Sequence, residues 1–178
     1  MASFIVEGGH RLSGTITPQG AKNEALQILC ATLLTSEEVV VDNIPDILDV
    51  NNLIQLLAES GVEVNKLSPN KYSFKAKELN ENFLASQEYL LRCRSLRGSI
   101  MLTGPLLARL GRAVIPQPGG DKIGRRKLDT HFLGMRKLGA ELHYNDQTGA
   151  CEIVADKLAG TYILLDEASV TGTANVVM

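Results

Sequence analysis

The sequence predicts an α/β fold made from a repeated unit, and two observations carry that expectation. The order apolar helix, strand, amphipathic helix, hairpin occurs twice along the chain. The two copies also share patterns at nearly constant spacing. Leu33-Leu34 matches Leu106-Leu107 at an offset of 73, and Leu57-Ala58-Glu59-Ser60-Gly61 matches Met135-Arg136-Lys137-Leu138-Gly139 at 78. The second copy therefore carries five extra residues, expected between its strand and its second helix. Repeat scaffolds often place function in the insertion of one copy.

Each element has its own signal. Phe4-Ile5-Val6 and Gly14-Thr15-Ile16-Thr17 read as short strands about a Gly8-Gly9 turn. From Glu24 to Leu34 apolar residues cover most of a helix, which should be buried on several sides. Val39-Val40-Val41 is a strand closed by Asn43-Ile44-Pro45. Val50 to Ser60 is an amphipathic helix, with Gly61 as its C′ cap. Val62-Glu63-Val64 and Tyr72-Ser73-Phe74 flank a Ser68-Pro69-Asn70 turn. The second copy reads as helix Leu96–Leu110, strand Ala113–Ile115, helix Leu128–Leu138, and the hairpin Glu141–Tyr144 with Cys151–Val154. A third copy begins at Tyr162-Ile163-Leu164-Leu165, and Gly172 to Met178 starts its first helix. The chain stops inside that apolar run, as a fragment would.

Composition narrows the function. The 178 residues carry a formal net charge of −2, which favours neither a nucleic-acid nor a membrane-surface partner. No Trp and 4% aromatic residues leave little to stack on nucleobases. Cys30, Cys93 and Cys151 are odd in number and widely spaced, so a disulfide framework or zinc site is not expected and a reducing compartment is. There is no apolar run of membrane-spanning length and no signal-peptide pattern, so the expected location is the cytoplasm.

The stretch Ile115–His131 concentrates the chemistry. It holds two prolines, three glycines, two acids and four bases. Pro116 and Pro118 end the preceding strand, since neither can donate to a ladder. Gly119, Gly120 and Gly124 open backbone angles closed to other residues. Lys122, Arg125, Arg126 and Lys127 suit a phosphate or pyrophosphate. Asp121 sits among them as a proton donor or acceptor. A solvated surface loop is the competing reading.

In combination, several motifs resemble one family. They are Gly20-Ala21-Lys22-Asn23-Glu24-Ala25-Leu26, Arg97-Gly98-Ser99-Ile100 with Gly104-Pro105-Leu106-Leu107-Ala108-Arg109, Pro118-Gly119-Gly120, Ile123-Gly124-Arg125-Arg126 and Leu138-Gly139-Ala140. The chain is similar over its whole length to the enolpyruvyl transferases that act on UDP-N-acetylglucosamine. The resemblance implies an inside-out α/β barrel of βαβαββ repeats, with the third repeat truncated here. Residues 1–21 would then pack with an absent second domain. Residues 22–178 would form the first domain, with repeats at about 22–80 and 90–155 and a partial third from 160. It also implies a reaction: the enolpyruvyl group of phosphoenolpyruvate moves to the 3′-hydroxyl of UDP-N-acetylglucosamine and phosphate leaves, without metal or organic cofactor. By the same resemblance the full-length protein would be a monomer, and this chain alone inactive.

Carried over residue by residue, Lys22 and Asn23 match the phosphoenolpyruvate pair, Arg97 a substrate-contacting arginine, and Arg126 the loop arginine on phosphoenolpyruvate. Arg126, Lys127, Leu128, Asp129 and Thr130 match a stretch along the nucleotide sugar, as do Glu167, Ala168, Ser169 and Val170. Asp129 also reads as an N-cap. His131 reads equally as a structural hydrogen-bonding residue. Asp121 stands where most members carry a cysteine and some carry aspartate, and it keeps the role of proton donor. Lys127 replaces a usual proline, Glu167 a frequent lysine, and Thr171 a frequent glycine. Two other readings compete: the shikimate-pathway enolpyruvyl transferase, against which Pro118-Gly119-Gly120-Asp121 argues, and a non-catalytic repeat domain binding a phosphorylated ligand or a protein.

Overall fold

The computed structural model describes residues 3–117 and 128–178. Helix α1 (Lys22–Ala31) runs into a 3-10 turn (Thr32–Leu34), then strand β1 (Glu38–Val41) and helix α2 (Leu48–Glu59). Strands β2 (Glu63–Ser68) and β3 (Lys71–Lys75) close the first copy, with β3 in the middle of an antiparallel sheet ordered β1-β3-β2. Short helices α3 (Glu81–Leu84) and α4 (Gln87–Ser95) then connect the copies. Their N-caps were legible and unread: Asn80 Oδ1 accepts from the N–H of Phe83, and Ser86 Oγ from that of Tyr89.

The second copy repeats the topology. A 3-10 turn (Arg97–Leu102) and α5 (Thr103–Leu110) lead to β4 (Arg112–Pro116), α6 (Asp129–Lys137), β5 (Glu141–Asn145) and β6 (Ala150–Val154), in a sheet ordered β4-β6-β5. The registers agree. Glu38 and Glu63 both face Lys75, as Arg112 and Glu141 both face Val154. Both second helices end alike. Gly61 (φ +99°) and Gly139 (φ +100°) take the left-handed conformation, and the next amide reaches back to Leu57 O or Met135 O. This is the Schellman stop expected at Gly61.

Three expectations need correction. Residues 3–21 form no strand; Phe4 is 94% exposed and Leu12 92%, and a lone hairpin with nothing beneath it gains too little to persist. The helix expected over Leu96–Leu110 is divided at Leu102, because Pro105 has no N–H to return to Met101. Placed in the first turn of α5, Pro105 costs no bond. Finally, sheet pairing makes Arg112 the counterpart of Glu38, an offset of 74. One of the five extra residues therefore precedes the strand.

A single core joins the copies, with Leu29, Leu33, Leu53, Leu57 and Phe74 from the first and Met101, Leu102, Leu107, Ile115, Met135 and Ile153 from the second. Arg109 stitches them: its guanidinium donates to Leu33 O at 2.7 Å and to Ala76 O at 3.1 Å.

Helix α7 (Val170–Val177) packs onto α5, α6 and the second 3-10 turn, and glycines make room for it. A Cβ on Gly104 would lie 2.4 Å from Asn175 O, and one on Gly134 2.2 Å from Val176 Cγ2. The carboxamide of Asn175 is buried and fully used. Its Oδ1 accepts from Gly104 N (2.7 Å), while Nδ2 donates to Ile100 O (3.0 Å) and to His131 Nδ1 (3.0 Å). Gly104 N–H requires an acceptor, which fixes the orientation of the amide and leaves Nδ2 to Ile100 O and His131. His131 must therefore accept at Nδ1 and carry its proton on Nε2, which faces Thr171 Oγ1 at 3.4 Å. Burial, with a smaller contribution from the Arg97 charge, holds the His131 pKa down at about 4.

Two outcomes follow. Gly104→Ala should lower unfolding free energy by about 1–3 kcal/mol, because its methyl meets backbone. Gly134→Ala should cost less, since Val176 can rotate and the helix gains from alanine. Gly160→Ala, with nothing within 4 Å, should be neutral within about 0.5 kcal/mol. Urea unfolding midpoints order the three. Between pH 6.5 and 4 the unfolded chain binds a proton that folded His131 refuses, so acidification through that window should remove about 3 kcal/mol of stability. Below pH 4 this loss should level off. His131→Gln should flatten the unfolding free energy against pH by that amount, and equal slopes in the two proteins would refute the assignment.

Candidate functional site

The starts of four helical segments meet at one end of the molecule. Gly20 sets the entry to α1: a Cβ there would lie 1.9 Å from Asn43 O, so only glycine lets the chain lie on the Asn43–Pro45 turn. Lys22 and Asn23 follow, exposed in the first turn of α1. The free N–H groups of that turn and the Lys22 ammonium suit an anion. Lys22 is ion-paired with Asp49, in the first turn of α2, and both side chains are roughly half exposed. Asp49 went unnoticed in the sequence. Its signal was its place near the start of a helix.

Arg97 opens the 3-10 turn beside α1. Its neighbour Gly98 lies against Leu26, one turn along α1 from Lys22, where an added Cβ would come within 3.0 Å of Leu26 Cδ1. Arg97 is partly buried, and its charge reaches His131 on α6. The site therefore runs from α1 through Arg97 to α6.

At α6 the residue in the cap position is Leu128, half-buried and without a side-chain cap bond. Asp129 is the first helical residue and exposed, so the expected N-cap role is not seen; its carboxylate instead lies at the positive end of the helix. Thr130 is buried, and its Oγ1 lies 3.1 Å from where a Cβ on Gly172 would sit. Helix α7 thus presents its first turn to Thr130 and His131. Ser169 caps α7, its Oγ accepting from Gly172 N at 3.0 Å, and Val170 and Thr171 are exposed beside it. Glu167 and Ala168 precede the cap and are exposed.

The structure thus brings Lys22, Asn23, Arg97, Leu128, Asp129, Thr130, Ser169 and Val170 to one end. Asp121, Arg126 and Lys127 lie outside the described residues, as does the expected strand break at Pro118. Sequence reading also missed Asn175, whose carboxamide joins the segments bearing Arg97, Thr130 and Ser169.

The cysteines are not part of this end. Cys30, Cys93 and Cys151 are all buried. Burial raises each thiol, Cys93 to about 12 and Cys30 further. None is a thiolate at neutral pH. Among the described residues no group of three or more His, Cys, Asp or Glu side chains could hold a metal ion, and no helix is long and apolar enough to cross a membrane.

Comparison with known proteins agrees with this architecture. The chain is 65% identical over all 178 residues to a UDP-N-acetylglucosamine 1-carboxyvinyltransferase of Bacteroides thetaiotaomicron, and 57% identical to one of Porphyromonas gingivalis. In both cases it spans 41% of the relative's length. Among solved structures, an EPSP synthase from Acinetobacter baumannii superposes with a TM-score of 0.66 at 18% identity, covering 92% of this chain and 37% of that one. The enolpyruvyl transferase NikO from Streptomyces tendae gives 0.61 at 22% identity, covering 85% and 32%. At such identities these two establish the fold, that of the enolpyruvyl transferases. The family model for EPSP synthase (3-phosphoshikimate 1-carboxyvinyltransferase) matches residues 6–178, nearly the whole chain, and the chain belongs to that family.

Proposed function

We propose that the whole protein transfers the enolpyruvyl group of phosphoenolpyruvate to the 3′-hydroxyl of UDP-N-acetylglucosamine and releases phosphate, the first committed step of peptidoglycan precursor synthesis. The observation that carries this reading is full-length identity of 57–65% to relatives bearing that enzyme's name. The EPSP synthase structures, at 18%, support the fold and not the shikimate reaction. The protein acts in the cytoplasm as a monomer of two domains, of which residues 22–178 form most of the first. The bare apolar side chains of Phe4, Ile5, Val6, Leu12 and Ile16 fit a segment that packs on the second domain.

The chemistry assigns roles. A base takes the proton of the sugar hydroxyl as its oxygen bonds to C2 of phosphoenolpyruvate, while an acid protonates the methylene carbon. The tetrahedral adduct then loses a methyl proton and phosphate, restoring the double bond. Asp121 is the acid. Lys22, Asn23 and Arg126 hold phosphoenolpyruvate, and incoming phosphate takes Lys22 from Asp49. Arg97 supplies a further cation. Lys127, Leu128, Asp129, Thr130, Glu167, Ala168, Ser169 and Val170 line the nucleotide sugar. The base and further phosphate ligands belong to the second domain, so residues 1–178 alone should show no turnover.

In the full-length enzyme Lys22→Ala and Arg126→Ala should each cost about 2–4 kcal/mol in kcat/KM. Losses below about threefold for both would sink the anion site. The epoxide drug fosfomycin, which in this family alkylates a loop cysteine, should leave no adduct, because Asp121 is a poor nucleophile and the three thiols are buried and protonated. Asp121→Cys should gain a covalent mass increase with retained turnover, and Asp121→Asn should lose most turnover. An adduct on the wild type would show that the loop chemistry is misassigned.

A further inference from the structure

We propose that Thr171 contacts the nucleotide sugar through a hydroxyl whose direction is set by a buried relay from Asn175 through His131. The inference rests on the transferase reading above and assigns that site a contact that the family resemblance does not supply, since glycine is frequent where Thr171 stands.

The relay begins where the backbone leaves no choice. Gly104 N–H is buried and needs an acceptor, which Asn175 Oδ1 supplies; that turns Nδ2 toward Ile100 O, which also accepts from Thr103 N–H. The carboxamide's remaining N–H points at His131 Nδ1, 3.0 Å away. A ring nitrogen that accepts there cannot carry the proton, so the neutral imidazole holds it on Nε2. That nitrogen lies 3.4 Å from Thr171 Oγ1. The hydroxyl oxygen therefore accepts from His131, and its own proton is left for another acceptor.

The direction of that proton matters because of where Thr171 stands. His131 is buried, whereas Thr171 is exposed in the first turn of α7, directly after Ser169 and Val170. The neighbouring hydroxyls are already committed: Ser169 Oγ accepts from Gly172 N, and Thr173 Oγ1 donates to Ser169 O at 2.7 Å. Thr171 is thus left with a donor to spare on an exposed turn, beside the proposed nucleotide-sugar segment. Its partner would be an acceptor oxygen of that substrate. Asn175 and His131 touch no substrate in this scheme; they position Thr171.

The test uses the full-length enzyme, steady-state kinetics in both substrates, and nitrogen-15 NMR of the histidines. In the wild type His131 should read as the neutral Nε2–H tautomer at pH 7. Thr171→Val should raise KM for UDP-N-acetylglucosamine about tenfold, with KM for phosphoenolpyruvate within about twofold, and Thr171→Ser should restore it. Asn175→Asp is isosteric but cannot donate to Nδ1. It should move the histidine proton to Nδ1, turn the Thr171 hydroxyl inward, and raise the same KM. Thr173→Val, one step along the helix, should leave KM unchanged. An Nδ1–H or charged His131 in the wild type, an unchanged KM in Thr171→Val, or equal rises in both KM values would overturn the proposal. Should Asn175→Asp fail to fold, the Thr171 pair still decides. A wild type that turns over these substrates while Thr171→Val matches it sinks this inference alone; a wild type inert toward them sinks the transferase reading and this one together.

Discussion

A unit of three strands and two helices is too small to bury its own apolar face, and this constraint shapes the chain. Each sheet has one central strand, β3 or β6, with a parallel pair outside it. Leu29 and Leu33 of the first copy therefore share a core with Met101, Leu102 and Leu107 of the second. The seam is tied by polar links of long reach. Arg109 satisfies two carbonyls that end elements of the first copy, and Arg92 meets Glu59 at 2.8 Å. The arginine at the seam has a geometric reason: one planar guanidinium can serve two carbonyls that point the same way, which a lysine ammonium does less well.

Helix α7 is held on different terms. Its fully buried residues are only Gly172 and Asn175, with Ala174 and Val176 half-buried beside them. Close approach replaces bulk, through glycines at 104 and 134 in its neighbours. Close approach brings backbone into a dry interface, where an unpaired N–H or C=O would cost about 1–3 kcal/mol. Asn175 is the residue that makes this packing possible, because one side chain supplies both an acceptor and two donors. The segments it joins carry the candidate substrate residues, so the packing of α7 and the geometry of the site rest on one solution.

The repeat was legible because it is written in local signals. Gly61 and Gly139 end helices wherever they follow such a pattern, and the three apolar residues Val39–Val41 suit a strand in any copy. What depended on distant partners was not legible. Phe4–Val6 has strand composition, yet strand formation requires an edge to pair with, and none adjoins it among the described residues. The break before Thr103 was written in Pro105 but hidden by the apolar run around it. Lys22, Asn23, Arg97 and Thr130 could be picked out only by their motifs; nothing local says that a 3-10 turn and three helices converge. Asn175 stands in an apolar run with no local sign of what it satisfies, and only the segments packed against α7 reveal it.

The neutral state of His131 completes the electrostatic argument. Lys22 and Arg97 already place two positive charges at this end, and Lys122, Arg125, Arg126 and Lys127 add four in the adjoining stretch of sequence. A charge on His131 would have to be desolvated beside that of Arg97, and His131 yields its proton instead. That outcome separates two tasks. In the proposed transferase, attraction of an anionic substrate would fall to charged side chains, the half-exposed Lys22 among them. Direction belongs to neutral groups, the imidazole with one donor and one acceptor and the carboxamide with one acceptor and two donors. Were His131 charged, both its nitrogens would donate, Asn175 would have to turn its amide, and Gly104 N–H would lose its acceptor. Burial beside Arg97 keeps the histidine neutral, and a neutral histidine is what the hydrogen bonds of α7 require.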